Sequence, residues 1–545
     1  MNQKKLKQTI LELIRRTSTA LPADVKEVLN LGKTLEAEKS RAAFAVDLIL
    51  KNIDMAQNTS HPVCQDTGYL SFYLRLPKGS DVRAIQSCIE ASVAQATELG
   101  YLRQNSVNSL TGRNSGNNLG LGTPYFDVSY HDEPTLDIRL IQKGGGCENM
   151  TAQYALPLQI MDRYYNRDLE GVRTCILDAV NKAQGKGCSP GFLGVCIGGD
   201  RAAGLAFAKK QLLRELGDTN PVPELAELEA RILQEANQLE IGPIGFGGKQ
   251  TLGACKIGHL NRLPASYFVS VAYMCWAFRR RGVVLGPDMR VVEWLYQTPG
   301  EFEPFPKSEA KMRPRLLPRF FRDHRVPEKG AKTPGGARND IRNFSAQPVW
   351  DSHVESDKAI RLQTPLSHDQ IKALHAGDVI LLSGTIFTGR DAVHQYLHNG
   401  GKLDVIHGGI LYHCGPVIKK GENGYEVLAA GPTTSIREEP YQADVIEKFD
   451  LKAVIGKGGM GPKTLAACKT HGAVYLHAIG GAAQIYARCV KAVKSVHLEH
   501  LGSPEAVWEL EVEDFPVIVT MDSHGRSFHH ERQQLSDKRL KALLS

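Results

Sequence analysis

Cys64, Cys188 and Cys275 each sit in a polar, turn-forming segment that a merely space-filling thiol does not require: residues 62–68, 187–191 and 274–280. Structural zinc sites and electron-transfer clusters usually close on four ligands. Three thiolates on an iron–sulfur cubane would leave one iron open to act as a Lewis acid on a bound substrate. Cysteine count alone does not establish that chemistry. Asp66, two residues beyond Cys64, adds a proton acceptor beside the prospective metal, and Gly68 permits the tight backbone the turn needs. The plain alternative for this segment is a turn with a satisfied aspartate.

A second group of residues points to an anion. Gly144, Gly145 and Gly146 follow a strand-like run and can offer consecutive backbone N–H groups, although glycine runs are also plain hinges. Cys147 closes this run and reads as a loop thiol, not a ligand. Farther on, Arg390, Arg437 and Lys457 each lie in a loop rich in Gly, Thr or Ser. Arginine grips a carboxylate through two parallel hydrogen bonds and lysine adds a point charge, so the three together would clamp a dianion. Singly, each is read more simply as a solvated charge. None of these loops has the phosphate-loop spacing GxxxxGK[ST], which argues against ATP.

Bulk properties bound the class. The chain has 545 residues, 42% of them hydrophobic and 23% charged, which suits a soluble globular protein of two or three domains. A net charge of +7 is mild, and much of it lies in residues 307–342; a basic arm for nucleic acid is the weaker reading and a cationic site for an anionic substrate the stronger. Eleven cysteines with no CxxC pair do not make a disulfide scaffold, a zinc ribbon or a thioredoxin-like site. Cys88, Cys175, Cys255, Cys468 and Cys489 read as buried small hydrophobes. The reading is a reducing cytoplasm, no membrane span and no nucleic-acid partner. Leu6, Ile10, Leu11 and Ile14 form a helical stripe and are read as a domain's first helix, with a transit peptide as the alternative.

The elements that must position these residues follow from periodicity. Residues 25–51 carry apolar positions at helical spacing, 69–76 and 135–141 are strand-like, and 201–240 are helical with breaks at Pro221 and Pro223. Residues 267–273 alternate as a strand and run into Cys275. Residues 1–290 thus form a mixed α+β region, 291–350 a proline-rich basic linker, and 351–545 an α/β domain. In that last domain 378–383, 404–410, 451–455 and 474–476 read as strands, most of them ending in ligand-binding loops.

Taken in order, these segments resemble the iron–sulfur (class I) fumarate hydratases and the related L-tartrate dehydratases. The matching positions are 64–68, 143–146, 187–190, 245–249 and Cys275, then 388–392, 415–417, 431–434, Lys457 and the closing strand 506–515. The resemblance covers most of the chain outside the linker. It implies an α-type and a β-type region fused in one chain, with a swivel-like second domain, and a [4Fe–4S] cluster on Cys64, Cys188 and Cys275. It further implies that Gln65, Arg103, Gly144, Gly145, Gly146, Arg390, Arg437 and Lys457 bind a small dicarboxylate, with Asp66 and Thr433 as the acid–base pair. The implied activity is a hydro-lyase converting fumarate to L-malate, in a homodimer. Relatives often carry a histidine ahead of the third cysteine; the matching position here is Leu263, with His259 nearby. That leaves L-tartrate, converted to oxaloacetate, or another 2-hydroxy-dicarboxylate as the alternative substrate. The remote alternative is an iron- or redox-sensing RNA-binding protein.

Overall fold

Apolar residues three and four apart place Leu6, Ile10, Leu13 and Ile14 on one face of the first helix, Gln3–Thr19, and all four are fully buried. Asn2 caps it by accepting from the Lys5 N–H. The computed structural model describes residues 2–296, 359–421 and 424–545. The helical stretch 25–51 divides into two helices, Ala23–Leu35 and Arg41–Thr59, because Ser40 starts the second by capping the Ala43 N–H. Residues 201–240 give Arg201–Gln211 and Pro223–Gln238, the second opening on the proline that cannot sit inside a helix.

In chain order the first half contributes β1 (Tyr69–Pro77), β2 (Tyr125–His131), β3 (Leu136–Lys143), β4 (Ala152–Ala155), β5 (Leu158–Ile160), β6 (Arg163–Tyr165), β7 (Gly191–Ile197), β8 (Leu252–His259), β9 (Phe268–Met274), β10 (Arg279–Leu285) and β11 (Val291–Leu295). One sheet runs β11-β10-β3-β1-β2 and a second β4-β9-β7-β8, with β5 and β6 as a separate hairpin. Strand β11 falls inside the stretch expected as linker. It pairs with β10, and Trp294 stacks under the Arg16 guanidinium at 4.0 Å, so the first half extends past residue 290. Residues 297–350 of the expected linker lie outside the described residues.

The second half adds β12 (Ile360–Gln363), β13 (Val379–Thr388), β14 (Ile410–Tyr412), β15 (Val417–Gly421), β16 (Gly424–Ala429), β17 (Ala453–Gly456), β18 (Val474–His477), β19 (Val490–His497) and β20 (Val507–Met521). Residues 404–410 are not the expected strand. Asp404–Ile406 is a 3-10 turn, and pairing starts only at Ile410, where the chain meets β13 and β17. Strands β13, β14, β17 and β18 are parallel neighbours, and β20 pairs antiparallel with both β18 and β13. That double pairing closes β13-β14-β17-β18-β20 into a ring. It also gathers the loops following β13, β14, β17 and β18 at one end, where ligands bind in sheets of this kind.

A single apolar group spans both halves, from Leu48 and Ile53 through Trp276 to Ile455 and Phe515. The final helix, Phe528–Leu544, leaves the second half and packs on the helix Leu169–Ala183. Leu540 and Leu544 enter a second apolar group around that helix, the Ser536 hydroxyl accepts from Gln184 Nε2 (2.6 Å), and Asp537 accepts from Asn181 Nδ2 (2.6 Å). The chain end therefore braces the turn four residues before Cys188. No helix among the described residues is long and apolar enough to cross a membrane.

Candidate active site

Strand register brings the first-half segments together. Tyr69 of β1 pairs with Lys143 of β3, so the turn 64–68 that precedes β1 and the glycines that follow β3 share one sheet edge. Arg279, the first residue of β10, pairs with Gln142 and joins the same edge. In the other sheet Phe192 pairs with Met274, which sets the turn entering β7 beside the exit of β9; the Trp276 N–H donates to the Cys188 carbonyl (3.2 Å). Cys64, Cys188 and Cys275 thereby enter one buried group, 6%, 3% and 8% exposed. Gly68 has φ +83°, and a Cβ there would lie 2.7 Å from the Lys143 backbone, so only glycine fits this crossing.

The second half closes over this edge. Arg103 Nη1 donates to the Gly415 carbonyl (2.9 Å), Gln65 Nε2 to the Pro432 carbonyl (2.9 Å), and Trp276 Nε1 to the Gly480 carbonyl (2.8 Å). Lys457 Nζ lies 2.9 Å from the Cys188 sulfur. Burial opposes the Lys457 charge, but the Cys188 and Cys64 thiols beside it outweigh burial and raise its pKa. A Cβ on Gly480 would stand 2.5 Å from the Cys188 sulfur, so glycine is needed there for the two halves to meet.

A cleft of about 1650 Å³ opens at this junction, lined by Asp66, Arg103, Gly145, Gly146, Arg390, Thr433 and Arg437 among others. Gln65, Gly144, Lys457 and the three cysteines do not line it, and all six are buried. Gln65 is turned away, with its Oε1 3.4 Å from the Cys64 sulfur. Leu263 is 73% exposed on the loop between β8 and β9, and neither it nor His259 lines the cleft.

Five cations act on the carboxylates of Asp66 and Asp391. Burial pushes the Asp66 carboxyl up, but Arg103, Arg279, Lys457 and Arg390 together pull it below the usual carboxylate range, so it is ionised. Its Oδ2 accepts from the Gly145 N–H (2.9 Å), and Arg103 Nη2 stands 3.5 Å from Oδ1. Arg437 is forked onto Asp391 (2.9 and 2.8 Å), and its Nη2 also donates to the Thr433 hydroxyl (3.2 Å). Asp391 in turn is held at about 2, because that guanidinium outweighs its burial. Arg390 lies 3.3 Å from Glu505, and its buried Nε has no partner.

Three residues emerge that the sequence did not single out. Arg279 is 1% exposed, donates through Nη2 to the Asp66 carbonyl (2.7 Å), and leaves Nε and Nη1 without partners. Thr434 buries an unpartnered hydroxyl, 3.1 Å from where a Cβ on Gly146 would stand. Glu438, fully buried behind Arg437, has neither carboxyl oxygen hydrogen-bonded and lies 3.7 Å from His394 Nδ1.

Glu438 carries a stability prediction. Burial first, then the nearby Asp391, raises it to about 8 against the opposing pull of Arg437; Glu505 and Arg390 act more weakly. The folded chain therefore keeps a proton that the unfolded chain has lost above the ordinary carboxylate range. Stability falls as pH climbs from that range to about 8, by about 1.4 kcal/mol per pH unit. Glu438→Gln removes this loss. The difference in thermal midpoint between variant and parent should favour the variant increasingly from pH 5 to pH 8; a pH-independent difference would contradict it.

An ionised carboxylate and converging guanidinium groups thus meet in a cleft between the two halves, with the thiols buried beside it. The profile described as fumarate hydratase (fumerase) matches residues 7–284, and that of the fumarase C-terminus matches residues 337–532. A Geobacillus stearothermophilus protein named as a class I fumarate hydratase is 48% identical over 541 residues, 98% of each chain. The L(+)-tartrate dehydratase beta subunit of Escherichia coli (strain K12) is 36% identical over 182 residues, 33% of this chain and 90% of its own. A Methanocaldococcus jannaschii protein named as the alpha subunit of such an enzyme is 33% identical over 281 residues, 51% of this chain and 96% of its own. The chain belongs to the class I fumarate hydratase family.

Proposed function

We propose that this chain is a hydro-lyase interconverting fumarate and L-malate, with a [4Fe–4S] cluster on Cys64, Cys188 and Cys275. The observation that carries the reading is the meeting, in one cleft, of an ionised Asp66 and several cations over a buried three-thiol group. Residues 1–290 supply the cluster half in this reading, and 351–545 most of the substrate clamp. The donor set suits the cluster: three thiols, at most 8% exposed, with Lys457 at the Cys188 sulfur to offset thiolate charge. When bound there, the cluster supplies a Lewis acid at the iron that no cysteine holds.

The chain's own residues do the rest. Arg103, Arg390 and Arg437 grip the two substrate carboxylates, and Lys457 adds charge from below. Hydration places negative charge on the carbon next to a carboxylate, and fixed guanidinium groups stabilise that charge without reorganising. Asp66 is the proton acceptor for the incoming oxygen, and the N–H of Gly145 holds it in place. The Thr433 hydroxyl accepts a hydrogen bond from Arg437, which favours its deprotonated form and equips it to exchange a proton with the substrate carbon. The setting is a reducing cytoplasm and the assembly a homodimer.

L-Tartrate is the second reading, favoured by the two relatives that match the halves separately. Fumarate is preferred because the 48% identical relative spans both halves. Anaerobic purification followed by ultraviolet assays with fumarate, L-malate and both tartrate isomers tests this. Reversible fumarate–malate turnover by a brown, iron-containing protein is expected. Turnover of tartrate alone would replace the substrate, and a colourless, iron-free, inactive protein would overturn the reading.

A further inference from the structure

The three thiols of the proposed cluster do not stand alone. Cys147, expected as a loop thiol, is 5% exposed and lies in the same buried group as Cys64, Cys188 and Cys275. Of the cysteines in that group, Cys275 is the one whose thiol acts most strongly on that of Cys147, and the reverse holds as well. The backbone explains the approach. Cys147 sits in the short turn Gly145–Glu148, which packs on β9, and Cys275 is the first residue after β9. Thr151 ties the two segments: its hydroxyl lies 3.5 Å from the Cys147 carbonyl and accepts from the Tyr273 N–H (3.4 Å). Cys147 touches none of the clamp residues through a hydrogen bond, so the substrate site gives no reason for a thiol here. Its neighbours Gly145, Gly146, Glu148 and Asn149 line the cleft, which gives a small solute a path toward the pair.

We propose that Cys147 is a resolving thiol for Cys275, so that a chain without iron is oxidised by hydrogen peroxide to a Cys147–Cys275 disulfide that blocks cluster assembly until it is reduced. One thiolate sulfur attacks the peroxide O–O bond, becomes a sulfenic acid and releases hydroxide. The partner sulfur then displaces the second hydroxide and forms the S–S bond. The two thiols lose two electrons and two protons, and the peroxide leaves as two waters. A dithiol reverses the step by exchange. The reversible disulfide would shield Cys275 from irreversible oxidation to the sulfinic acid, which a solitary thiol reaches next. The consequence for assembly rests on Cys275 being a cluster ligand; the pairing itself does not.

The test uses the full chain, stripped of iron by a chelator under reducing conditions and desalted anaerobically. One equivalent of hydrogen peroxide is added, remaining thiols are capped with N-ethylmaleimide, and unreduced peptides are mapped by mass spectrometry. The Cys147–Cys275 linked peptide should dominate, with two thiols lost per chain. Visible absorbance on adding iron and sulfide should return only after dithiothreitol. In Cys147→Ser, with circular dichroism matching the parent and two equivalents of peroxide supplied (one to the sulfenic and one to the sulfinic acid), Cys275 should instead accumulate as sulfinic acid. Linkage of Cys275 to Cys64 or Cys188, or both thiols staying open to alkylation, would overturn the proposal. If the linked peptide forms but the reduced chain never takes up iron, the pairing stands and the cluster reading falls.

Discussion

Asp66→Asn should lower kcat/KM for fumarate hydration by ~10²–10⁴-fold, the span that a positioned acid–base group contributes. The amide is nearly the same size and keeps an oxygen that can accept from the Gly145 N–H, so the turn 64–68 should stay in place. It cannot accept a proton as the carboxylate does. It also drops the negative charge opposite Arg103, Arg279, Lys457 and Arg390, the four cations that hold Asp66 ionised. Substrate brings two carboxylates to the same cations, so the variant should bind it as well as the parent or better. The loss should therefore fall on kcat, with KM unchanged or lower. Iron content should match the parent. A variant retaining kcat would remove Asp66 from proton transfer, and one losing iron would make it part of the metal scaffold.

Much of this site was legible from segment identity and almost none of it from distance. The turn 64–68, the glycines 144–146 and the loops after β13 and β17 were recognisable because glycine, proline and threonine mark strand ends. Their meeting depends on register, such as Tyr69 opposite Lys143 and Phe192 opposite Met274, and pairing across so many residues leaves no periodic trace. Closure of the second-half ring needs β20 to reach back to β13, more than a hundred residues earlier, and was equally invisible.

The missed residues share a different cause. Arg279, Arg280 and Arg281 are three consecutive charges, yet each is at most 1% exposed. Arg280 is paired with Asp24 and sandwiched by Phe278 and Tyr296, Arg281 reaches the Leu21 and Tyr296 carbonyls, and Arg279 reaches Asp66. Burial of charge is the rare case, so a sequence rule that assigns charge to the surface fails where function concentrates it. The pair Glu438 and Glu439 misleads in the same way, since the first is fully buried. Asp391 was visible beside Arg390 at a helix start, and its pairing with Arg437 one loop away is what the structure adds.

Cys188→Ser should abolish the visible absorbance of the anaerobically purified protein and its bound iron. Activity should fall by more than the ~10–100-fold that loss of an outer hydrogen-bond partner costs a metal site. The argument rests on what surrounds this sulfur. Cys188 adopts φ 52°, ψ 62°, a left-handed conformation that a non-glycine residue holds only when its surroundings impose it. Gln184, four residues earlier, is gripped by Ser536 of the final helix, and Gly480 leaves the space the sulfur occupies. Lys457 aims a buried ammonium at the same atom. An ammonium with no anion is costly to bury, whereas a thiolate carrying iron supplies the missing charge. Serine retains a hydrogen-bond acceptor for Lys457 but is not a thiolate, so the fold should survive while the cluster does not. Cys147→Ser is the control: it lies as deep and in the same buried group, yet should keep iron. If Cys188→Ser held iron and Cys147→Ser lost it, the ligand set would be Cys64, Cys147 and Cys275, with Lys457 guarding a sulfur that binds no metal.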